Sequence, residues 1–169
     1  MRLLLLAASA FLLFTGCSKT TAFDFFKMDK NYEKAISNLQ SGTIVKSFET
    51  EAILSSVYLN EVYPKEYSDG EYFFIALYLS DDKRLFFKSG LADPDYILTL
   101  NTLNFIDGEE LQSDHKLRAL MPINNEWNRY YLIKFDSQNR DNLLLQLENK
   151  HLDKIELHYL KDSAIAKKQ

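Results

Sequence analysis

Histidine is the residue type best suited to catalysis or metal binding at neutral pH, and the chain has three: His115, His151 and His158. Zinc sites need ligands at defined spacings, such as two histidines four residues apart on a helix. No pair of these histidines has that spacing, and no HExxH motif occurs. His151 and Asp153 could supply two ligands, but their context is that of a solvated turn. We therefore predict no metal site.

Carboxylate pairs are the second feature that could perform chemistry. Asp93 and Asp95 in LADPDY could begin a calcium loop, but Leu98 and Asn104 occupy the positions where an EF-hand requires glycine and glutamate. The chain also lacks a GxSxG nucleophile motif, and its five glycines are too scattered to form a phosphate-binding loop. We therefore predict no catalytic residues and no cofactor, and we expect a protein that is not an enzyme.

Aromatic side chains offer a different kind of site, because the chain contains 10 Tyr and 12 Phe. Exposed aromatics give a large contact area to a protein partner or a sugar at low entropy cost. Most of these rings are expected to pack in the core. Trp127 lies in the polar stretch INNEWN, so we predict that Trp127 and its neighbour Tyr130 contact a partner.

The N-terminal residues read as a targeting segment. Arg2 is followed by an uncharged apolar run over residues 3–14. This run is shorter than the roughly 20 residues needed to cross a bilayer. Its length and charge order are those of a secretory signal peptide, so it is excluded from fold reasoning.

Residues 14–17, Phe14-Thr15-Gly16-Cys17, resemble the lipobox of bacterial lipoproteins. Thr15 and Gly16 fit the small-residue pattern, whereas Phe14 departs from the usual leucine. The resemblance implies that signal peptidase II cuts before Cys17 and that lipid, including palmitate, is attached to Cys17. Several acyl chains on one residue would make a near-permanent membrane anchor.

The cysteine count agrees with this interpretation. Cys17 is the single cysteine, so no disulfide can form within the chain. Ser18 follows it, and the enterobacterial sorting rule then implies the outer membrane. We expect the periplasmic side, with the inner membrane and the cell surface as the alternatives. Residues 17–22 form a short tether before the aromatic cluster Phe23, Phe25 and Phe26. Five extended residues span less than about 20 Å, so the domain is expected to sit close to the membrane.

The elements that would position these residues are mostly short strands. Residues 29–39 carry a helical repeat of apolar residues, and Ser41-Gly42 predicts the end of that helix. Further on the apolar residues alternate, which predicts strands over residues 43–48, 52–60, 72–79, 84–88, 96–105 and 116–121. Residues 72–79 are apolar on both faces, so this strand should be central and covered on both sides.

Three more strands in the last third of the chain have one clearly apolar face each. These faces are formed by Tyr131, Ile133 and Phe135, by Leu143, Leu145 and Leu147, and by Ile155, Leu157 and Tyr159. Short strands at regular spacing predict an antiparallel sandwich or barrel, and the strand that is covered on both faces favours the sandwich. We expect a mainly β protein, an immunoglobulin-like β-sandwich in architecture only, with one short N-terminal helix. The predicted organisation is a signal peptide (1–16), a tether (17–22) and one domain (23–169).

The charge of the chain limits its partners. Without Arg2 there are 19 basic residues against 24 acidic ones, and no basic block large enough for nucleic acid. The segments VYLNEVYP and W..YYL loosely resemble uncharacterised lipoproteins of Campylobacter-like bacteria, which implies no activity. We expect a lipid-anchored envelope lipoprotein that acts as a non-enzymatic binding or assembly module for an envelope protein. The alternative is an envelope hydrolase or carbohydrate-binding protein.

Overall fold

The structure is a computed structural model that describes residues 29–80 and 89–161. The predicted signal peptide, Cys17, the tether and the predicted strand 84–88 lie outside the described residues. The α-helices are α1 (Lys30–Ser37), α2 (Leu59–Val62) and α3 (Lys116–Leu120), and one 3-10 turn spans Gly90–Ala92. The strands are β1 (Leu39–Lys46), β2 (Glu49–Tyr58), β3 (Glu71–Leu79), β4 (Tyr96–Leu100), β5 (Leu103–Asn104), β6 (Asp107–Glu110), β7 (Arg129–Phe135), β8 (Asn142–Asn149) and β9 (Lys154–Leu160).

The strands form two antiparallel sheets that pack face to face. One sheet has the order β1-β2-β3-β7-β6, and the other has the order β5-β4-β8-β9. The predicted antiparallel, immunoglobulin-like sandwich architecture is therefore confirmed. The core between the sheets contains the predicted inward faces of β7, β8 and β9.

The five-stranded sheet is covered on both faces, which gives the described chain three layers. Phe73, Ile75 and Leu77 of β3 point into the core between the sheets. Phe74 and Ala76 point to the other side, where they pack under the three helices. The predicted central strand 72–79 is thus confirmed as β3, and its neighbours β2 and β7 occupy both of its edges.

The sandwich has two ends with different contents. The Phe48 end, as we name it, contains the β1–β2 turn at Ser47-Phe48, the β8–β9 turn, and the loop that leads into Arg129. The Glu71 end contains the start of β1 and β3 and the last residues of β7 and β9. The first strand therefore begins, and the last strand finishes, at the Glu71 end.

The edge strands β1 and β9 close one side of the sandwich. The side-chain amide of Gln40 donates to the backbone carbonyl of His158 and accepts from its N–H at 2.9 Å. Gly42 faces Ile155 so closely that a Cβ at position 42 would overlap its Cγ2 atom. We call this contact between β1 and β9 the seam. Across the seam, the Gln40 amide takes the place of a ladder of backbone hydrogen bonds.

A buried carboxylate ties the Glu71 end together. Glu71 is 3% exposed. Its Oε1 accepts from Lys161 Nζ at 2.5 Å and from the Gln138 N–H at 2.7 Å, and its Oε2 accepts from the Tyr58 hydroxyl. A buried charge needs a counter-ion and hydrogen bonds, and Glu71 has both.

Several predicted boundaries are corrected. The predicted helix 29–39 is α1, which begins after its N-cap Asp29 and ends at Ser37. Its predicted stop, Ser41-Gly42, lies inside β1, because the strand already begins at Leu39, opposite Val57. The predicted strand 43–48 is therefore β1, which begins four residues earlier and ends two residues earlier. Strand 52–60 is β2, which ends at Tyr58.

Two predicted strands are wrong in kind or extent. The predicted strand 116–121 is instead α3, which ends at Leu120, and both Leu117 and the C-cap residue Met121 are buried. Strand 96–105 is interrupted by the turn Asn101-Thr102, so it becomes the hairpin β4–β5. The described chain therefore has α2 and α3 in addition to the expected N-terminal helix.

Candidate functional site

Trp127 projects from a loop that its neighbours hold in one shape. The Asn125 side-chain oxygen accepts the backbone N–H groups of Trp127 and Asn128, each at 3.0 Å. The Asn125 backbone exchanges two further hydrogen bonds with the Tyr130 hydroxyl, at 2.6 and 3.1 Å. Trp127 itself is 77% exposed. The loop is thus ordered, while the indole that it carries is not packed against the described fold.

Tyr130, the other predicted contact residue, lies inside the fold. Its ring is 1% exposed, stacks on Phe74 and is covered by the Arg118 guanidinium at 4.1 Å. It alternates with Tyr131 along β7 and belongs to the core beneath the helices. The prediction for Tyr130 is therefore corrected: a partner at the surface cannot contact its ring, and its role is to support the Trp127 loop.

Phe48 occupies the second of two turn residues between β1 and β2. Ser47 and Phe48 both have left-handed backbone, with φ of 51° and 69°. Such a two-residue hairpin turn favours asparagine and glycine, because a bulky side chain at positive φ costs about 1–3 kcal/mol. Phe48 is also fully exposed. No packing in the described fold compensates for this placement.

Leu152 occupies a similar position in the β8–β9 turn. Its φ is 69° and it is 72% exposed. The turn is organised by Asn149, which is 3% exposed and whose side-chain oxygen accepts the N–H groups of His151 and Asp153 at 2.9 Å each. The Asn149 amide also donates to Glu51 at 3.0 Å. A buried asparagine therefore fixes the turn and leaves Leu152 in solvent.

These three turns share one end of the sandwich. Phe48, Trp127 and Leu152 are the most exposed large hydrophobic residues in the described part of the chain. All three lie at the Phe48 end, according to the strand registers. The structure thus brings together an expected contact residue and two residues that the sequence did not reveal.

A polar cleft of about 670 Å³ lies at the same end. Its lining includes Asp93, Asp95 and His151, which the sequence placed in separate candidate sites. Asp95 is bound to Lys150 at 2.5 Å, and the Asp93 carboxylate accepts the Asp95 N–H at 2.9 Å. Both carboxylates are therefore used within the fold. Across residues 29–80 and 89–161, no three His, Cys, Asp or Glu side chains are arranged to hold a metal ion.

The ionisable groups of this cleft with shifted pKa values are Tyr96 and Lys150. Burial, together with a hydrogen bond to Glu51, raises the pKa of the Tyr96 hydroxyl. The hydrogen bond to Asp95 raises the pKa of Lys150. Both shifts move the groups further from neutral pH, whereas general acid–base catalysis favours a pKa near the operating pH. The arrangement is therefore suited to holding the cleft in shape.

The two remaining histidines and a group of three tyrosines have local structural roles. His115 is the N-cap of α3, where its Nδ1 accepts the Leu117 N–H at 3.2 Å. His158 is exposed on β9, between the buried residues Leu157 and Tyr159. Tyr67 packs between Tyr63 and Tyr72 at interplanar angles of 68° and 46°. The three rings therefore form no flat platform for a sugar.

Comparison of the chain with models of protein families, with curated proteins and with solved structures gave no match. Among residues 29–80 and 89–161, no helix has the length and apolar character needed to span a membrane.

Proposed function

We propose that this protein is a lipid-anchored, non-enzymatic binding or assembly module of a bacterial envelope. The observation that carries the proposal is the exposed indole of Trp127 on a loop ordered by Asn125 and Tyr130. Tryptophan is enriched among residues that dominate binding energy at protein interfaces. Because the loop is already ordered, little conformational entropy is lost when a partner binds it.

The anchor is the second part of the proposal, and it is supported by the lipobox-like residues that end at Cys17. Lipid on Cys17, palmitate included, would hold the protein at the periplasmic side of the outer membrane. Eleven residues separate Cys17 from Asp29, the first described residue. That segment spans at most about 40 Å, so a partner would also be found at the envelope.

The binding proposal is tested by replacing Trp127 with Ala in the full chain expressed in cells. We expect a protein that is cross-linked to the wild-type chain to be lost from the Trp127→Ala variant. The matched control is Leu160→Ala, which removes another exposed hydrophobic side chain at the Glu71 end. Equal cross-linking of all three chains, or turnover of an envelope substrate by the pure protein, would contradict the proposal.

The anchor is tested separately with Cys17→Ala. We expect this variant to leave the membrane fraction and to lose labelling by palmitate. Cys17→Ala with unchanged fractionation and labelling would show that the anchor proposal is wrong, whatever the result for Trp127.

A further inference from the structure

We propose that the whole Phe48 end is a docking surface for a protein partner that binds end-on. The surface of the partner would carry apolar sockets, and basic side chains would border these sockets. This inference rests on the proposed binding function and adds to it the surface and the chemistry of the partner. The surface consists of Phe48, Trp127 and Leu152 with the charged residues around them.

The first argument comes from the backbone at two of the three apolar residues. Phe48 and Leu152 both have φ of 69°, a left-handed conformation that favours glycine or asparagine. Neither side chain is packed within the described fold, so neither residue is explained by stability. Strained backbone of this kind is concentrated at functional sites. Two strained and exposed apolar residues at one end therefore indicate that their side chains are used there.

The second argument is that turns at the same end of the sandwich carry these residues. Ser47 and His151, the neighbours of Phe48 and Leu152, line the same cleft. The two turns therefore flank one depression. Trp127 is held by Asn125 in the loop that precedes β7, in the same sheet as β1 and β2. Separate apolar residues carried by turns at one end fit a protein surface with matching sockets.

The third argument is the charge of this end. Three ion pairs join Lys150 to Asp95, Lys154 to Glu148 and Arg129 to Glu110. Outside these pairs, the described residues of the Phe48 end include two bases, Lys46 and Arg118, whose guanidinium donates to Asn124 in the Trp127 loop. They also include five acids: Glu49, Glu51, Asp93, Glu126 and Asp153. This excess of negative charge repels an anionic lipid surface and attracts basic groups. It favours a basic protein partner over a membrane.

The first experiment places a photo-reactive amino acid at position 48, 127 or 152 of the full chain in cells, with positions 103 and 160 as controls. Leu103 and Leu160 are also exposed, but they lie at the Glu71 end. We expect one and the same protein to be cross-linked from positions 48, 127 and 152, and at least about tenfold less from 103 and 160. Cross-linking from 127 alone, or mainly from 103 or 160, would overturn the end-on surface but leave the binding function. Cross-linking from no position would overturn both.

The second experiment uses Phe48→Gly and Leu152→Gly, which should change stability and binding in opposite directions. Glycine accepts the left-handed backbone, so we expect each variant to melt about 2–4 °C higher than the wild type. Each variant is also made in the chain that carries the photo-reactive amino acid at position 127. We expect cross-linking from position 127 to fall about tenfold in both of these chains. A lower melting temperature with unchanged cross-linking would show that these side chains serve the fold, and would overturn the inference.

Vesicles distinguish a lipid surface from a protein partner. The full chain and the Phe48→Gly, Leu152→Gly double variant are compared on phosphatidylcholine vesicles with and without phosphatidylglycerol. We expect the two chains to bind equally, with any binding arising from the N-terminal segment. Binding to either vesicle that is weaker for the double variant than for the wild type would overturn the choice of a protein partner. Cross-linking between two copies of the chain would overturn it in favour of self-association.

Discussion

Two asparagines connect the turns to their exposed apolar residues. Asn125 and Asn149 each accept two backbone N–H groups through the side-chain oxygen. An asparagine can do this because its short side chain folds back onto the following backbone. In each case an exposed apolar residue lies two or three positions further on. Each asparagine therefore fixes the backbone from which an exposed apolar side chain projects.

Asn125→Ala is predicted to loosen the Trp127 loop while leaving the sandwich folded. Two hydrogen bonds to backbone N–H groups would be lost, which should lower the free energy of unfolding by about 1–2 kcal/mol. Trp127 is the single tryptophan, so its fluorescence anisotropy reports the loop directly. We expect the anisotropy to fall in Asn125→Ala. Asn125→Asp keeps the accepting oxygen and should stay close to the wild type; equal loosening in both variants would contradict the role assigned to this oxygen.

Lys161→Ala is predicted to destabilise the fold much more than a typical surface change. It would leave the Glu71 carboxylate, 3% exposed, without its cation. Removing one partner of a buried ion pair typically costs about 3–5 kcal/mol, and Lys161 is partly exposed, so we expect about 3 kcal/mol. Urea denaturation measures the difference.

The matched control for this pair removes both charges at once. Glu71→Gln with Lys161→Met keeps the approximate volumes and needs no counter-ion. We expect the double variant to lose less stability than the sum of the two single variants. Additive losses would show that the ion pair contributes no coupling.

At the scale of elements, the seam between β1 and β9 depends on one glycine. Gly42 sits where a Cβ would overlap Ile155, so Gly42→Ala must push the two sheets apart or distort β1. Overpacking of this kind costs about 1–3 kcal/mol. We expect a lower urea midpoint for Gly42→Ala, and little change for Thr43→Ala, which is exposed on the same strand. A normal midpoint for Gly42→Ala would mean that the seam is not tightly packed.

The strands with a full apolar face could be predicted from the sequence. β7, β8 and β9 alternate over seven or eight residues, which determines both the element and its buried face. β3 was recognisable because both of its faces are apolar, and both are covered. In these elements the local pattern and the tertiary packing favour the same conformation.

The other elements were missed for identifiable reasons. α3 has five residues, too few for a period to distinguish a helix from a strand. The turn at Ser47-Phe48 carries none of the asparagine-glycine signal that such turns usually show. The turn around His151 and Asp153 was expected, but no glycine or asparagine at position 152 indicated left-handed backbone there. The exposure of Phe48 and Leu152 could therefore not be predicted from the sequence. Trp127 was found because a lone indole in a polar stretch has no helix or strand pattern to bury it.

At the scale of the whole molecule, buried tyrosines link stability to alkaline pH. Burial is the main cause of the raised pKa of Tyr159, and burial followed by a hydrogen bond to Glu71 raises that of Tyr58. The unfolded chain ionises near pH 10, before the folded chain does. The stability from these hydroxyls is therefore complete below pH 10 and is lost as the pH rises above it.

The free energy of unfolding is accordingly predicted to fall by up to about 1.4 kcal/mol per buried tyrosine for each pH unit above 10. Urea denaturation at pH 9 and pH 11 measures this slope. Tyr159→Phe should reduce the slope by about one tyrosine's share, although it also loses the hydrogen bond to Ser56 O. A slope that is the same in the variant and the wild type would show that Tyr159 ionises freely in the folded state.

The seam and the Glu71 pair also govern when this chain can finish folding. Gln40 binds His158, 118 residues later, and Glu71 binds Lys161, 90 residues later. Contacts over such distances form late and slow the folding of β-rich domains. While the chain emerges from a ribosome or a translocation channel, β1 is available before β9. During that interval the edge of β1 that will contact β9 is uncovered. A chaperone that covers β1 during that interval would therefore affect the yield of folded protein more than one that acts on the finished domain.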